Sequence, residues 1–149
     1  RFLASVREQC KLGFTNLPYP VSLFRQMMSL FRRPYIIDFN RLFAAMLKLK
    51  NHQPYSTVIL LYRRLDLSGS RLDSHSIGIL INCYCHLGHV DLGFSVLAKS
   101  LKLGYPFECD VVYFTTLING LIRNDQVPQA MKLLDVVIVT LGIQQSRVT

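Results

Sequence analysis

The sequence predicts an all-α solenoid of antiparallel helix-turn-helix repeats. Leu80-Ile81-Asn82-Cys83-Tyr84-Cys85 returns 37 residues later as Leu117-Ile118-Asn119-Gly120-Leu121-Ile122. Val90-Asp91-Leu92-Gly93-Phe94-Ser95-Val96-Leu97 returns at the same offset as Val127-Pro128-Gln129-Ala130-Met131-Lys132-Leu133-Leu134, so the two copies stay in register. A weaker copy begins at Leu42-Phe43-Ala44-Ala45-Met46-Leu47, 38 residues ahead of Leu80. Each period carries two apolar stripes at helical spacing. Self-similarity at a period of about 20–50 residues is the signature of stacked supersecondary units.

Residues 1–35 are the least regular. Phe2 to Lys11 reads as a helix, Gly13 to Pro18 as a loop, and Val21 to Met28 as an amphipathic helix with Val21, Phe24 and Met28 on one face. Pro18 and Pro20 punctuate its start. This segment is expected to be a degenerate or capping half-repeat, as solenoid ends require.

The first clear repeat spans 36–73. Asp38 precedes Phe39, Leu42, Phe43, Met46, Leu47 and Leu49; after a break at Asn51 to Pro54, Tyr55, Val58, Ile59, Tyr62 and Leu65 form the second stripe. The second repeat, 74–110, pairs Leu80, Ile81, Tyr84 and Cys85 with Phe94, Leu97 and Leu101, and Gly104 stops it before Pro106. The third, 111–146, pairs Phe114, Leu117, Ile118, Leu121 and Ile122 with Val127, Ala130, Met131, Leu134 and Val137, and Gly142 closes it. Val136 to Thr140 is β-branched and favours a strand locally, but register with Ala98 to Lys102 favours helix. Residues 147–149 would start a further repeat. The chain opens on Arg1 and stops in mid-motif at Thr149, which reads as a fragment.

Composition narrows the function. The 149 residues carry a net charge of +8, which suits an acidic partner such as nucleic acid or an anionic membrane surface. A basic surplus also keeps an apolar chain soluble. The mean hydropathy of +0.27 is high. The longest uncharged run, Ser74 to Val90, holds Ser, His and Asn and is no spanning helix; the excess is read as stacking surface. Cys10, Cys83, Cys85 and Cys109 have no disulfide framework and read as buried free thiols.

Competing chemistries are weak. Cys83, Cys85, His86 and His89 lie close together, but on a helix Cys83 and Cys85 stand about 200° apart and cannot share a tetrahedral ion. The nine acidic residues show no catalytic spacing, so no enzyme, metal or cofactor is expected. Lys48, Lys50, Arg63 and Arg64 are candidate phosphate contacts, with a solvated helix face as the equal alternative.

Tetratricopeptide repeats expect Trp in the first helix, and this chain has none. Val111 to Leu121 and Ile79 to Cys85 instead resemble the first helix of the pentatricopeptide repeat, and Gln129-Ala130-Met131-Lys132-Leu133-Leu134 resembles its second. Leu103-Gly104-Tyr105-Pro106 is similar to its closing turn. Ile37-Asp38-Phe39-Asn40-Arg41-Leu42-Phe43 and Asn82-Cys83-Tyr84-Cys85 resemble the plant restorer-of-fertility-like subgroup of the P class.

The resemblance implies a right-handed superhelix that binds single-stranded RNA at about one base per repeat. It implies base reading by Asn40 with Asp73, Gly78 with Asp110, and Thr115 with Ser146; Glu108 rivals Asp110, and Gln145 rivals Ser146. It implies base stacking by Ile37, His75, Val112 and Val148. In the family's code Asn40 with Asp73 favours uracil, then cytosine. Gly78 has no side chain with which to read. The implied setting is plant organellar transcript processing, stability or translation, including fertility restoration, alongside RNA-processing proteins. The implied compartment is the mitochondrion, with the chloroplast as the alternative. A protein-binding helical scaffold of the tetratricopeptide type is the rival, since it would show the same stripes.

Overall fold

The computed structural model describes the backbone of residues 1–103 and 107–135, and the side chains of all of these except 101, 103 and 107–112. Within them the chain is helical throughout, with no strand. The helices are α1 (Phe2–Leu12), α2 (Pro18–Met28), α3 (Ile36–Met46), α4 (Tyr55–Leu67), α5 (Ser74–His86), α6 (Val90–Leu103) and α7 (Phe107–Arg123). Residues 127–135 form α8, and Lys50–His52 form a single 3₁₀ turn.

Local chemistry sets most boundaries. Pro18 occupies the first turn of α2, where no backbone donor is needed, and Asn16 Oδ1 accepts from the Tyr19 N–H at 3.0 Å. Left-handed residues turn the chain after helices: Gly13 at φ 87° follows α1, and Gly88 at φ 79° separates α5 from α6. Asp73 caps α5 in a capping box, its carboxylate accepting from the Ser76 N–H while the Ser76 hydroxyl reaches back to the Asp73 N–H.

Residues 1–35 hold the two expected helices, which dock on α3. Some elements differ from expectation. The α3 helix starts at Ile36, so Asp38 lies inside its first turn, while Leu47 and Leu49 fall beyond its end. The α7 helix starts at Phe107, which places Asp110 in the first turn rather than ahead of it. On α8 the buried residues are Ala130 and Leu133, whereas Val127, Met131 and Leu134 are exposed. Ala130 and Leu133 join the core beneath α7, so among the described residues Ala130 of the predicted stripe is buried as expected, Leu133 joins it, and Val127, Met131 and Leu134 are turned outward. The expectations for Gly104, Pro106, residues 136–140 and Gly142 fall outside the described residues.

The helices stack in two rows. In one, α1 packs on α3, α3 on α5, and α5 on α7. In the other, α2, α4 and α6 each pack against the next helix of the first row. Because α5 is covered by α3 and α4 on one side and by α6 and α7 on the other, apolar residues line both of those faces.

Two cores result. The first centres on Phe24, Phe39, Phe43, Met27, Met46 and Tyr62, all essentially inaccessible. Phe43 meets Tyr62 edge-on at 4.4 Å, and Phe24 lies 5.7 Å from Phe43, geometries that add about 0.5–1.5 kcal/mol per pair beyond burial. The second gathers Ile77, Ile81, Cys85, Leu97, Tyr113, Leu117 and Leu121. Cys83 belongs to the first core and Cys85 to the second, as their angular separation on one helix requires.

Candidate nucleic-acid interface

The first-row helices share an exposed stripe. On α3 it consists of Ile37, Arg41 and Ala44, continued by Lys48 just past the helix end; on α5 His75 and His86 are exposed, and on α7 Thr115, Asn119 and Arg123. Arg123 Nη1 lies 2.8 Å from His86 Nε2, joining α7 to α5 across this face. Arginine only donates, so Nε2 accepts, and His86 Nδ1–H points to the Asn82 carbonyl at 2.9 Å. Tyr55 stacks on this imidazole at 4.4 Å.

Positive charge gathers where α1 meets α3. Arg7, Lys11, Arg41 and Lys48 line a hollow of about 440 Å³ floored by Cys10, Ala44 and Ala45. One acid lies beneath them. Asp38, 3% exposed, accepts from Arg7 Nε at 2.8 Å and Nη2 at 3.2 Å, with Arg41 3.9 Å away. Four cations against Asp38 and the exposed Glu8, 4.0 Å from Lys11, leave the hollow positive, suited to a polyanion.

Asn40 and Asp73 are brought together. Asn40 Nδ2 donates to Asp73 Oδ1 at 2.9 Å. Asn40 is 7% exposed, and its Oδ1 accepts from Tyr62 Oη at 2.8 Å and lies 2.8 Å from Ser76 Oγ. Burial works to raise the Asp73 carboxyl. The Ser76 N–H, the Asn40 amide, the Ser76 hydroxyl and nearby His75 outweigh it, so the group ends below the usual carboxylate value. Burial pushes the Tyr62 phenol far up, so it stays a neutral donor.

One register position fastens each first-row helix to the one before it. Asp38 takes Arg7 of α1, Ser76 takes Asn40 of α3, and Tyr113 donates to the Ser74 carbonyl of α5. The same Tyr113 ring covers Gly78, where an added Cβ would lie 3.3 Å from Cε1. Gly78 occupies the register of Asn40, so the second slot holds an aromatic ring in place of an amide.

The remaining predicted residues distribute unevenly. Ile37 is half exposed, His75 and Thr115 are exposed, and Lys48 shares the first-row stripe. Lys50 lies on the 3₁₀ turn. Arg63 and Arg64 lie on the exposed side of α4, in the second row. Asp110 and Val112 are on α7, but their side chains, like Glu108, Gln145, Ser146, Val148 and the Cys109 thiol, lie outside the described residues.

Cys10, Cys83 and Cys85 are free and buried, and burial raises all three thiols, Cys83 to about 12. They are therefore protonated and poor nucleophiles or ligands at neutral pH. Among the described residues no helix is long and apolar enough to cross a membrane.

Sequence reasoning missed Arg7, Lys11, Arg41 and Arg123 as parts of this face, and Ser76 and Tyr62 as partners of Asn40. The Asp73-x-x-Ser76 spacing was a readable capping signal. The Tyr62 hydroxyl and the Arg7–Asp38 pair depend on packing across 22 and 31 residues and left no local trace.

The family profile described as PPR repeat matches residues 76–105 and 112–138. The chain is 32% identical over 131 residues to a mitochondrial pentatricopeptide repeat-containing protein of Arabidopsis thaliana, covering 87% of this chain and 21% of that protein. A second such Arabidopsis protein is 35% identical over 103 residues, covering 68% of this chain and 16% of its own length. Protein Rf1, mitochondrial, of Oryza sativa subsp. indica is 37% identical over 73 residues, 47% of this chain and 9% of that protein. The chain thus spans about a fifth or less of the length of these relatives.

Proposed function

The chain is a pentatricopeptide repeat protein, and from that premise we propose that it binds single-stranded RNA along the first-row face without cutting it. The observation that carries this reading is the Asn40–Asp73 pair, with exposed Ile37 three residues before Asn40, exposed His75 two residues after Asp73, and a positive hollow where α3 meets α1. Phosphates would lie along Arg7, Lys11, Arg41 and Lys48, and bases would stack against Ile37 and His75. Asn40 with Asp73 reads one base, preferring uracil. Thr115 with Ser146 reads another, and Gly78 with Asp110 fills a slot with little to read.

The repeats follow the bounds 36–73, 74–110 and 111–146, and residues 1–35 cap them. Three repeats specify about three bases, so target choice rests on the whole protein. We place that protein in the plant mitochondrion, acting on transcript processing, stability or translation, with fertility restoration as one such role. The matched relatives named mitochondrial support that placement.

Salt dependence tests the function against a protein-binding scaffold. Affinity for single-stranded RNA should fall steeply with salt, because phosphate binding releases counterions. Arg41→Gln and Lys48→Gln should each flatten the slope by roughly 0.7. A salt-independent interaction with an apolar helix, and no RNA binding at low salt, would establish the scaffold reading instead.

A further inference from the structure

Asn40 is held from three sides. Tyr62 Oη donates to its Oδ1, Ser76 Oγ lies against the same oxygen, and its Nδ2 donates to Asp73. An ionised carboxylate only accepts, so the amide atom facing Asp73 is the nitrogen and the oxygen faces the hydroxyls. One hydrogen on Nδ2 then has no partner among the described residues.

We infer that Tyr62 and Ser76 are positioning residues for base discrimination: they turn the Asn40 carbonyl inward, so that Asn40 offers a nucleotide a single N–H donor and selects uracil over cytosine. Uracil presents O4, an acceptor, where cytosine presents an amino group. A freely turning Asn side chain accepts from an amino group as readily as it donates to a keto oxygen. The discrimination therefore comes from the fixed amide, which Asp73 orients from its nitrogen and Tyr62 and Ser76 from its oxygen, and it rests on the RNA-binding reading above.

Ser76 has one hydroxyl proton and two acceptors in reach, Asn40 Oδ1 at 2.8 Å and Asp73 Oδ1 at 2.9 Å. The Tyr62 hydroxyl donates to Asn40 Oδ1 at 2.8 Å and also has Ser76 as a hydrogen-bonding neighbour, so the two hydroxyls hold the carbonyl jointly. With both hydroxyls removed, the Asn40 oxygen would be orphaned in the interior. It would swing out to water, where it can accept.

The test uses the intact protein. A randomised RNA pool is selected on wild type and on Asn40→Thr, and the nucleotide whose preference changes is the one facing Asn40. The four bases at that nucleotide are then titrated against Tyr62→Phe/Ser76→Ala and against Ser76→Thr. The double variant should lower the uracil-to-cytosine affinity ratio roughly three- to tenfold, the worth of one or two hydrogen bonds, without altering preference at other nucleotides. Ser76→Thr keeps the hydroxyl and should keep the ratio.

An unchanged ratio in the double variant, or equal weakening for every base, overturns the inference while the RNA reading stands. An Asn40→Thr selection identical to wild type overturns base reading at Asn40 and the inference with it. Should the double variant not fold, Tyr62→Phe alone preserves the ring and should lower the ratio at least about twofold. No change there counts against the inference equally.

Discussion

The two halves of this solenoid use one helix-pair plan and fasten it in opposite ways. Around α3 and α4 the helices are held apart and the gap is filled with rings: Phe24, Phe39, Phe43 and Tyr62. From α5 to α7 the helices close on glycine. An added Cβ at Gly120 would lie 2.7 Å from Cys85 Cβ and Sγ, and one at Gly93 would lie 2.9 Å from Leu117 Cδ2. The difference reaches the candidate site. Ring-filled spacing leaves a slot in which Asn40 meets Asp73, while the closely packed half brings Tyr113 down onto Gly78.

The largest expected effect is in the ring-filled half. Phe43→Ala removes the hub of three aromatic contacts and should cost about 3–5 kcal/mol in urea unfolding, since a packed core collapses only partly around a lost ring. The closely packed half should respond to the opposite change. Gly120→Ala forces its methyl against Cys85 and should cost about 1–3 kcal/mol. A neutral Gly120→Ala would mean that close approach does not fasten that half, and the contrast between the halves would fail.

The shared repeat was legible because it is local and periodic: an identical offset for two stripes, Gly88 at the turn, and Pro18 at a helix start. Only one of the two apolar faces of α5 was legible, the stripe of Leu80, Ile81, Tyr84 and Cys85; Ile77 and Cys83 complete the burial on its two sides. The outward face of α8 was not. Ala130 and Leu133 lie buried while Val127, Met131 and Leu134 are exposed, and apolar identity alone cannot say which neighbouring face a helix meets. The Asn40–Asp73 pairing followed from family resemblance, and the Tyr62 and Ser76 contacts that hold it came from packing.

A smaller effect should appear where the two halves meet. Tyr62→Phe leaves the first core filled but removes one donor to Asn40, and should cost about 0.5–1.5 kcal/mol. Tyr113→Phe removes the hydroxyl that donates to the Ser74 carbonyl in the other half and should cost a similar amount.

The smallest is a pH effect confined to the first slot. The Asp73 carboxyl is held below its usual value in the folded chain, so its contribution is complete above the unfolded carboxylate pKa of about 4 and is lost as pH falls through the lower folded value. Asp73→Asn should therefore lose that contribution near neutrality and flatten the acid limb of stability between about pH 4 and the folded value, so that the two proteins converge at low pH. An identical acid limb in the variant would show that the carboxylate is not held by Ser76 and Asn40.

On the proposed reading, base discrimination resides at Asn40 and is absent at Gly78. The most direct test is an affinity series on the intact protein, with all four bases placed in turn at the nucleotide facing Asn40 and at its neighbour facing Gly78. Discrimination at the first should be roughly tenfold or more for uracil over purines, and within about twofold among bases at the second, where stacking is sequence-tolerant. Equal discrimination at both nucleotides, or its survival at the first after Asn40→Thr, would contradict the account.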